Sequence, residues 1–525
     1  MALADAPSVD RPDRVLTSVA VLLAVLMVIL DMTVVNVALP HMMGALGATP
    51  DQITWVITSY IVAEAVVIPT SGFLAARFGR KPVIIVSVIG FVIASMLCGQ
   101  ATTLAQMVCF RLLQGAFGAS VVPLSQAVMV DTFSAADRGK AMAIWGIGIL
   151  LGPIMGPTVG GFITDHLDWR WVFYINLPIG IINLLLLAAF LQQTPRSRVT
   201  ADWTGALLLA LGVGALQMLL DRGNTEDWLE SNLIVALIIV SLVCTIAFII
   251  RSVRNPNAIL KIDLLRDRNL ATATFMIMAF GVGMLSTIAL QPLFLEHMLG
   301  YPAATAGLLM APRGIAVAFG MSLVATLITR VEPRWLVLTG LSLAAVGSYA
   351  MTWYNLDVDT AWIISPGIVQ GVGMGMIFVP LSTLAYQTLP KEASDQAASI
   401  FNLARTVGGS VGVAIAATVL TRTGQLNWQS LGSSLNPYNP ALGTWLDTTG
   451  SSVADPNTMQ ILGMEVARQA TLLGFIEAFG FVTLSFLVLI PLVLLLKRTS
   501  GPIAFGFPGA GTDQNKPAAA GVKQS

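Results

Sequence analysis

The amino-acid sequence predicts an all-α polytopic membrane protein: two six-helix halves with two further helices inserted between them. Three observations carry this reading. Of the 525 residues, 55% are hydrophobic and only 11% charged, with a mean hydropathy of +0.79, whereas soluble domains carry about 25% charged residues. Long apolar segments alternate with short connections whose basic residues sort to one face. Finally, motifs of the first half return in the second at a fixed offset of 256 residues.

Apolar segments able to cross a hydrocarbon core, about 20 residues each, are read at 15–38, 53–75, 82–100, 104–129, 140–163 and 170–191. An inserted pair follows at 203–220 and 232–250. The second set lies at 270–294, 303–328, 335–353, 361–388, 397–420 and 470–496, making 14 transmembrane helices. If the N-terminus is cytoplasmic, the even-numbered connections and both termini hold 21 of the 28 basic residues. The opposite face holds only Arg170, Arg222, Arg422 and Arg468. Lys and Arg accumulate on the cytoplasmic side, so this asymmetry sets the orientation, and one missed helix would scramble it.

The domain organisation follows. Residues 1–14 form a polar cytoplasmic tail without the apolar core of a cleaved signal, so the first helix is expected to remain as an anchor. Residues 15–195 form the first half, 196–260 the two-helix insert with its flanking cytoplasmic segments, and 261–498 the second half. The tail 499–525, rich in Gly, Pro and Ala, has the composition of a disordered segment. One exported connection, 421–468, is long and rich in Asn, Ser, Gly, Thr and Pro. It reads as an irregular surface loop or as a docking surface for an extracytoplasmic partner.

The internal repeat rests on several coincident matches. Gln114-Gly115 returns as Gln370-Gly371, and Pro123–Ser125 returns one residue later as Pro380–Ser382. Ala141 and Ile144 map onto Ala397 and Ile400, and Gly152, Gly156 and Gly160 onto Gly408, Gly412 and Ala416. Repeated halves of this kind suit a transporter that rocks around a central site.

A charge in the bilayer costs about 2.5–3.5 kcal/mol on insertion scales, so each one invites a functional reading. Asp31, in the first helix, is the leading candidate for a protonatable coupling site, against the alternative of a structural ion pair. Arg111, in FRLLQGAFG, is its natural partner, because a guanidinium stays charged and responds to a nearby carboxylate. Glu64 could bind a proton or a cationic substrate, or sit at a cavity rim. Arg313, Arg405 and Glu477 suggest a polar network in the second half, with packing the favoured reading.

The stretch WGIGILLGPIMGPTVGG places Gly148, Gly152, Gly156 and Gly160 on one helical face, with Gly161 adjoining. Small residues at this spacing let membrane helices approach closely. Pro153 and Pro157 interrupt the hydrogen-bond ladder. The stripe is expected at the boundary between moving halves, as a hinge or a proton seal. The loop GFLAARFGRKP supplies Gly72, Arg77, Gly79 and Arg80, able to make a tight cytoplasmic turn and pair with acids on nearby helix ends. Plain positive-inside anchoring accounts for part of that charge.

Other classes find little support. Net charge is zero, which gives no case for nucleic acid, and Cys98, Cys109 and Cys244 all fall in apolar runs, against a disulfide framework or metal site. His41, His166 and His297 lie near exported helix ends and read as surface residues. No catalytic residues, metal or cofactor are expected, and the absence of GxxxxGK[ST] argues against ATP hydrolysis. The 22 Met are scattered as packing residues, though some could line an adaptable pocket.

Taken together, LDMTVVNVALP, GFLAARFGRK, RLLQG, LGPIMGPTVGG, DWRWVFYINLPIG and LQMLLDRGNTEDW resemble the major facilitator superfamily, in particular fourteen-helix drug/proton antiporters of the EmrB type, over residues 14–500. The resemblance implies the major facilitator fold, and it makes the glycine-proline run an antiporter motif. It places Asp31 and Arg111 at positions used in proton coupling. One departure is Ala76, where the family loop usually carries an acid. The implied function is proton-coupled multidrug efflux of hydrophobic or amphipathic compounds across a bacterial inner membrane. A periplasmic adaptor (membrane fusion) protein and an outer-membrane channel are the implied partners. The alternatives are a dedicated exporter of a metabolite, siderophore or fatty acid, and, less favoured, a channel or scaffold subunit.

Overall fold

A computed structural model describes residues 11–133, 138–194, 202–255, 258–328, 330–386, 394–435, 439–449 and 455–495. In its described residues, each segment read as a span is helical. The first half comprises α1 (Arg11–Leu46), α2 (Trp55–Phe78), α3 (Arg80–Gln100), α4 (Leu104–Met129), α5 (Arg138–His166) and α6 (Trp171–Phe190). The insert is α7 (Trp203–Arg222) and α8 (Asn232–Arg254). The second half comprises α9 (Arg268–His297), α10 (Ala303–Leu327), α11 (Pro333–Met351), α12 (Thr360–Tyr386), α13 (Ser394–Ser433) and α14 (Pro456–Leu492). Among the described residues twelve helices are long and apolar enough to cross a membrane; α5 and α11 fall on the two remaining expected spans.

Local sequence explains the breaks. Pro69 lies in a 3₁₀ turn, Ile68–Thr70, within α2, as expected where a ring removes a helix donor. Gly79, between α2 and α3, has φ +89°, a backbone that favours glycine. Thr103 caps α4 through its side chain, and Asp267 caps α9. Helix α5 runs unbroken through positions 153 and 157; the side chains of Pro153 and Pro157 lie outside the described residues.

The packing repeats with the sequence. Helix α5 packs along α1, and α13 along α9; α4 packs along α2, and α12 along α10. The halves meet mainly through α5 and α10. Trp145 stacks on Phe378 with centroids 6.2 Å apart, and Asn402 Nδ2 donates to Gln126 Oε1 at 3.1 Å. These contacts lie toward the helix ends that carry the basic loops. The insert leans on both halves, α7 lying against α2 and α13. Thr58 donates to Asp221, and Arg222 covers the Trp55 ring at 4.1 Å. At the base of the insert Asp202 caps α7 and pairs with Arg251 of α8 at 2.7 Å. Burial pushes the Asp202 carboxyl up, but its bonds from Arg251 and the Gly205 amide outweigh that and hold it below its ordinary value.

Two expectations are corrected. The connection 421–468 is not an irregular loop in its described parts: α13 continues to Ser433, a short helix covers Pro440–Thr449, and α14 starts at Pro456. At about 1.5 Å per residue, the 40 residues of α13 and 37 of α14 exceed what the bilayer core needs. The glycine stripe is not at the boundary between halves either. A Cβ at Gly148 would meet Leu22, at Gly152 Ile29, at Gly156 Thr33 and at Gly160 Val34, all on α1 of the same half. Only Gly146, off the stripe, faces the other half, against Met321 of α10. The repeat behaves alike: Gly408 and Gly412 lie against the α9 backbone at Met278 and Val282. Spacing defined the close-packing face, but not which helix it met.

Candidate functional site

The candidate site forms where five helices of the first half converge. Asp31, on α1, is 1% exposed, and so is Arg111 on α4. Arg111 Nη1 donates to Asp31 Oδ2 at 2.7 Å. The other carboxylate oxygen receives Gln114 Nε2 at 2.9 Å and Asn176 Nδ2, from α6, at 2.6 Å. The guanidinium is held in turn: Nε donates to the Val56 carbonyl at 3.1 Å, Nη1 also to Gln114 Oε1 at 2.8 Å, and its plane covers the Tyr60 ring at 4.2 Å. Ser95 of α3 receives Asn176 Nδ2 at 3.0 Å and donates to the Phe173 carbonyl.

This geometry answers the desolvation problem. A buried ion pair persists only with good geometry and supporting hydrogen bonds, and here the carboxylate receives Arg111 and Gln114 from one face of α4 and Asn176 from α6. Adding a proton to Asp31 would weaken its bond to Arg111, and a change at one atom would be felt on α1, α2, α4 and α6. Two buried atoms beside the cluster, Tyr60 Oη and Asn176 Oδ1, have no partner among the described residues.

The structure thus brings Asp31 and Arg111 together, and adds Gln114, Asn176, Ser95 and Tyr60, which sequence reading did not assign to the site. Glu64 lies one turn from Tyr60 on α2, half-buried, under the fields of Arg405 across the interface and of Arg111. Among the described residues, the bonds given for the second-half trio share no partner. Arg313 bonds to Gln291 and Met374, Arg405 bonds to Asn402, and Glu477 is exposed on α14 without a partner among the described residues. Their spacing in sequence carried no information about shared neighbours.

The basic-loop turn is also resolved. Gly72 is buried and Arg77 lies in the last turn of α2, its guanidinium over the Phe78 ring. Arg80 pairs with Asp131 at the end of α4, while its amide donates to Thr194 Oγ1 at 2.9 Å. Lys81 Nζ donates to the Ala188 carbonyl. Arg80 therefore finds a carboxylate, that of Asp131, although position 76 carries no acid.

Two helical bundles of matching internal packing, with an unlike pair of helices between them, define a polytopic membrane protein of duplicated architecture. The chain belongs to the Major Facilitator Superfamily, whose sequence pattern matches residues 21–413. It is 36% identical to the fatty acid resistance protein FarB of Neisseria gonorrhoeae, covering 90% of this chain and 94% of FarB. It is 33% identical to the multidrug export protein EmrB of Escherichia coli K12, covering 93% of this chain and 96% of EmrB. The crystal structure of the human organic anion transporter MFSD10 superposes with a TM-score of 0.59 at 15% identity, over 93% of this chain and all of that one. At that identity the likeness speaks for the fold.

Proposed function

We propose that this chain is a proton-coupled multidrug exporter, moving hydrophobic and amphipathic toxic compounds by alternating access across a bacterial inner membrane, with both termini cytoplasmic and fourteen spans. The observation that carries the reading is the carboxylate of Asp31, buried mid-helix against Arg111. Ionisable groups are rare in membrane helices and mark proton relays. Similarity to EmrB over nearly its whole length supports drugs as the cargo. Similarity to FarB favours a second reading, in which the cargo is a fatty acid.

The energetics are adequate. A proton entering down ~100 mV releases ~2.3 kcal/mol, close to the ~2.8 kcal/mol that sustains a hundredfold gradient of a neutral solute. In this conformation the halves meet on the basic-loop side, through Trp145, Phe378, Gln126 and Asn402, which is the cytoplasmic face in this reading. Loading would require those contacts to part. The expected result is drug-dependent proton release from energised inside-out vesicles containing the protein. Transport that persists after the proton gradient is collapsed would count for a channel and against exchange.

The helical extension on the opposite face is the proposed seat of an extracytoplasmic adaptor leading to an outer-membrane channel. Leu426 and Trp428 on α13 and Ile461 and Met464 on α14 are exposed there, beyond the length a bilayer accommodates. Shortening residues 421–468 by matched turns from both helices should abolish co-purification with the adaptor while the protein still inserts. Undiminished co-purification places the adaptor elsewhere.

A further inference from the structure

The repeat pairs the coupling site with a second polar cluster that has a different composition. At the offset of 256, Asp31 corresponds to Thr287 on α9, Gln114 to Gln370 on α12, and Arg111 to Gly367. The amide contact survives: Gln370 Nε2 donates to Thr287 Oγ1 at 3.1 Å, as Gln114 donates to Asp31. The arginine survives too, by a different route. Arg313 comes from α10, and the Cβ position of Gly367 looks onto Arg313 Cβ and Cδ at 3.6 and 4.0 Å. The glycine makes room for a guanidinium delivered from the neighbouring helix. Gln370 Oε1, counterpart of the atom that receives Arg111, is left buried without a partner among the described residues.

What the second cluster lacks is the carboxylate. Arg313 is 7% exposed, and its contacts are neutral: Gln291 Oε1 at 3.0 Å and the Met374 sulfur at 3.6 Å. No acidic side chain pairs with it among the described residues. A charged arginine in this position is costly, and a thioether is the weakest acceptor available to it. Met374 is also flexible enough to move aside. A planar guanidinium with one weak, displaceable partner is suited to a bidentate oxyanion.

We propose that Arg313, with Gln291, receives the carboxylate of an anionic amphiphilic substrate, the substrate supplying the group that Asp31 supplies in the first half. The proposal rests on the export reading above. One bundle then carries its own carboxylate for the proton, and the other takes its carboxylate from the cargo.

The test uses the full chain in inside-out vesicles, with radiolabelled cholate as the carboxylate probe and ethidium as the cationic one, each also offered to vesicles lacking the protein. The Arg313→Gln variant should lower the ratio of cholate to ethidium transport at least about tenfold, equivalent to ~1.4 kcal/mol. Arg313→Lys, which keeps the charge but loses the fork, should lower it less. Gln291→Glu is nearly isosteric and places an internal carboxylate 3.0 Å from the guanidinium; it should depress cholate transport as deeply as Arg313→Gln. A wild-type protein that moves ethidium but not cholate overturns the proposal and leaves export standing. An unchanged ratio in Arg313→Gln and Gln291→Glu, or an equal fall for both probes in all three variants, overturns it as well, the latter by showing a packing role. Wild-type vesicles that move neither probe overturn the export reading itself, and this proposal with it.

Discussion

Replacing Asp31 by Asn should abolish proton-driven accumulation of drug while substrate exchange at equal pH continues. The substitution keeps shape and an acceptor oxygen, so Gln114 and Asn176 can still donate to position 31. It removes the charge and turns a donor toward Arg111 Nη1, which now has Asp31 Oδ2 at 2.7 Å. Breaking a buried pair by removing one partner costs about 3–5 kcal/mol because the survivor is left uncompensated. A thermal destabilisation is therefore expected alongside the loss of coupling. The two effects separate in the double variant Asp31→Asn/Arg111→Gln. With both charges gone, thermal stability should recover part of the deficit seen in either single variant, while proton-driven transport stays at the level of empty vesicles. Coupled accumulation at the wild-type rate in Asp31→Asn would remove this carboxylate from the mechanism.

The parts of this site that sequence made legible were those with a large energetic signature. Asp31 and Arg111 stand out because a charge in an apolar run is expensive, and the expense implies a partner. Gln114 and Asn176 carry no such signal: amides in membrane helices are ordinary until α4 and α6 bring them to Asp31. Gln114 did leave a trace, its recurrence as Gln370, which marks it as part of the duplicated core. Helix boundaries were legible for the same reason, since a bilayer demands about 20 apolar residues per crossing. The region 421–468 was misread because Asn, Ser and Gly score as loop formers. Local propensity is a weak prior against tertiary packing, and α13 and α14 pack together, Gly474 lying against the Leu420 carbonyl and Gly424 near that of Ala470. The second-half trio failed differently. Its charges were correctly flagged, but nothing linear relates Arg313 on α10 to Gln291 on α9.

Replacing Gly156 by Leu should uncouple transport and also make the membrane leak protons. A Cβ at Gly156 has no room: it meets the Thr33 side chain and then the α1 backbone. Leu adds three further carbons, and overpacking a close helix contact costs about 1–3 kcal/mol or forces the helices apart. Separation would break the bond from Thr33 Oγ1 to the Gly152 carbonyl, 3.1 Å long, which ties α5 to α1 two residues from Asp31. Thr33 faces α5 from the side of α1 away from the one on which Asp31 meets Arg111, Gln114 and Asn176, so letting go of α5 should free α1 to shift and admit water to the carboxylate. The measurement is the decay of an imposed pH gradient in vesicles without drug, faster for Gly156→Leu than for the wild type. Position within the motif is controlled by a matched pair of alanine substitutions. Gly161 belongs to the same run, but a Cβ there meets nothing within 4 Å, so Gly161→Ala should retain both coupling and seal, whereas Gly156→Ala should show a partial defect in each. A Gly156→Leu variant that fails to transport yet holds the gradient would make the stripe a hinge for α5, with the seal residing elsewhere.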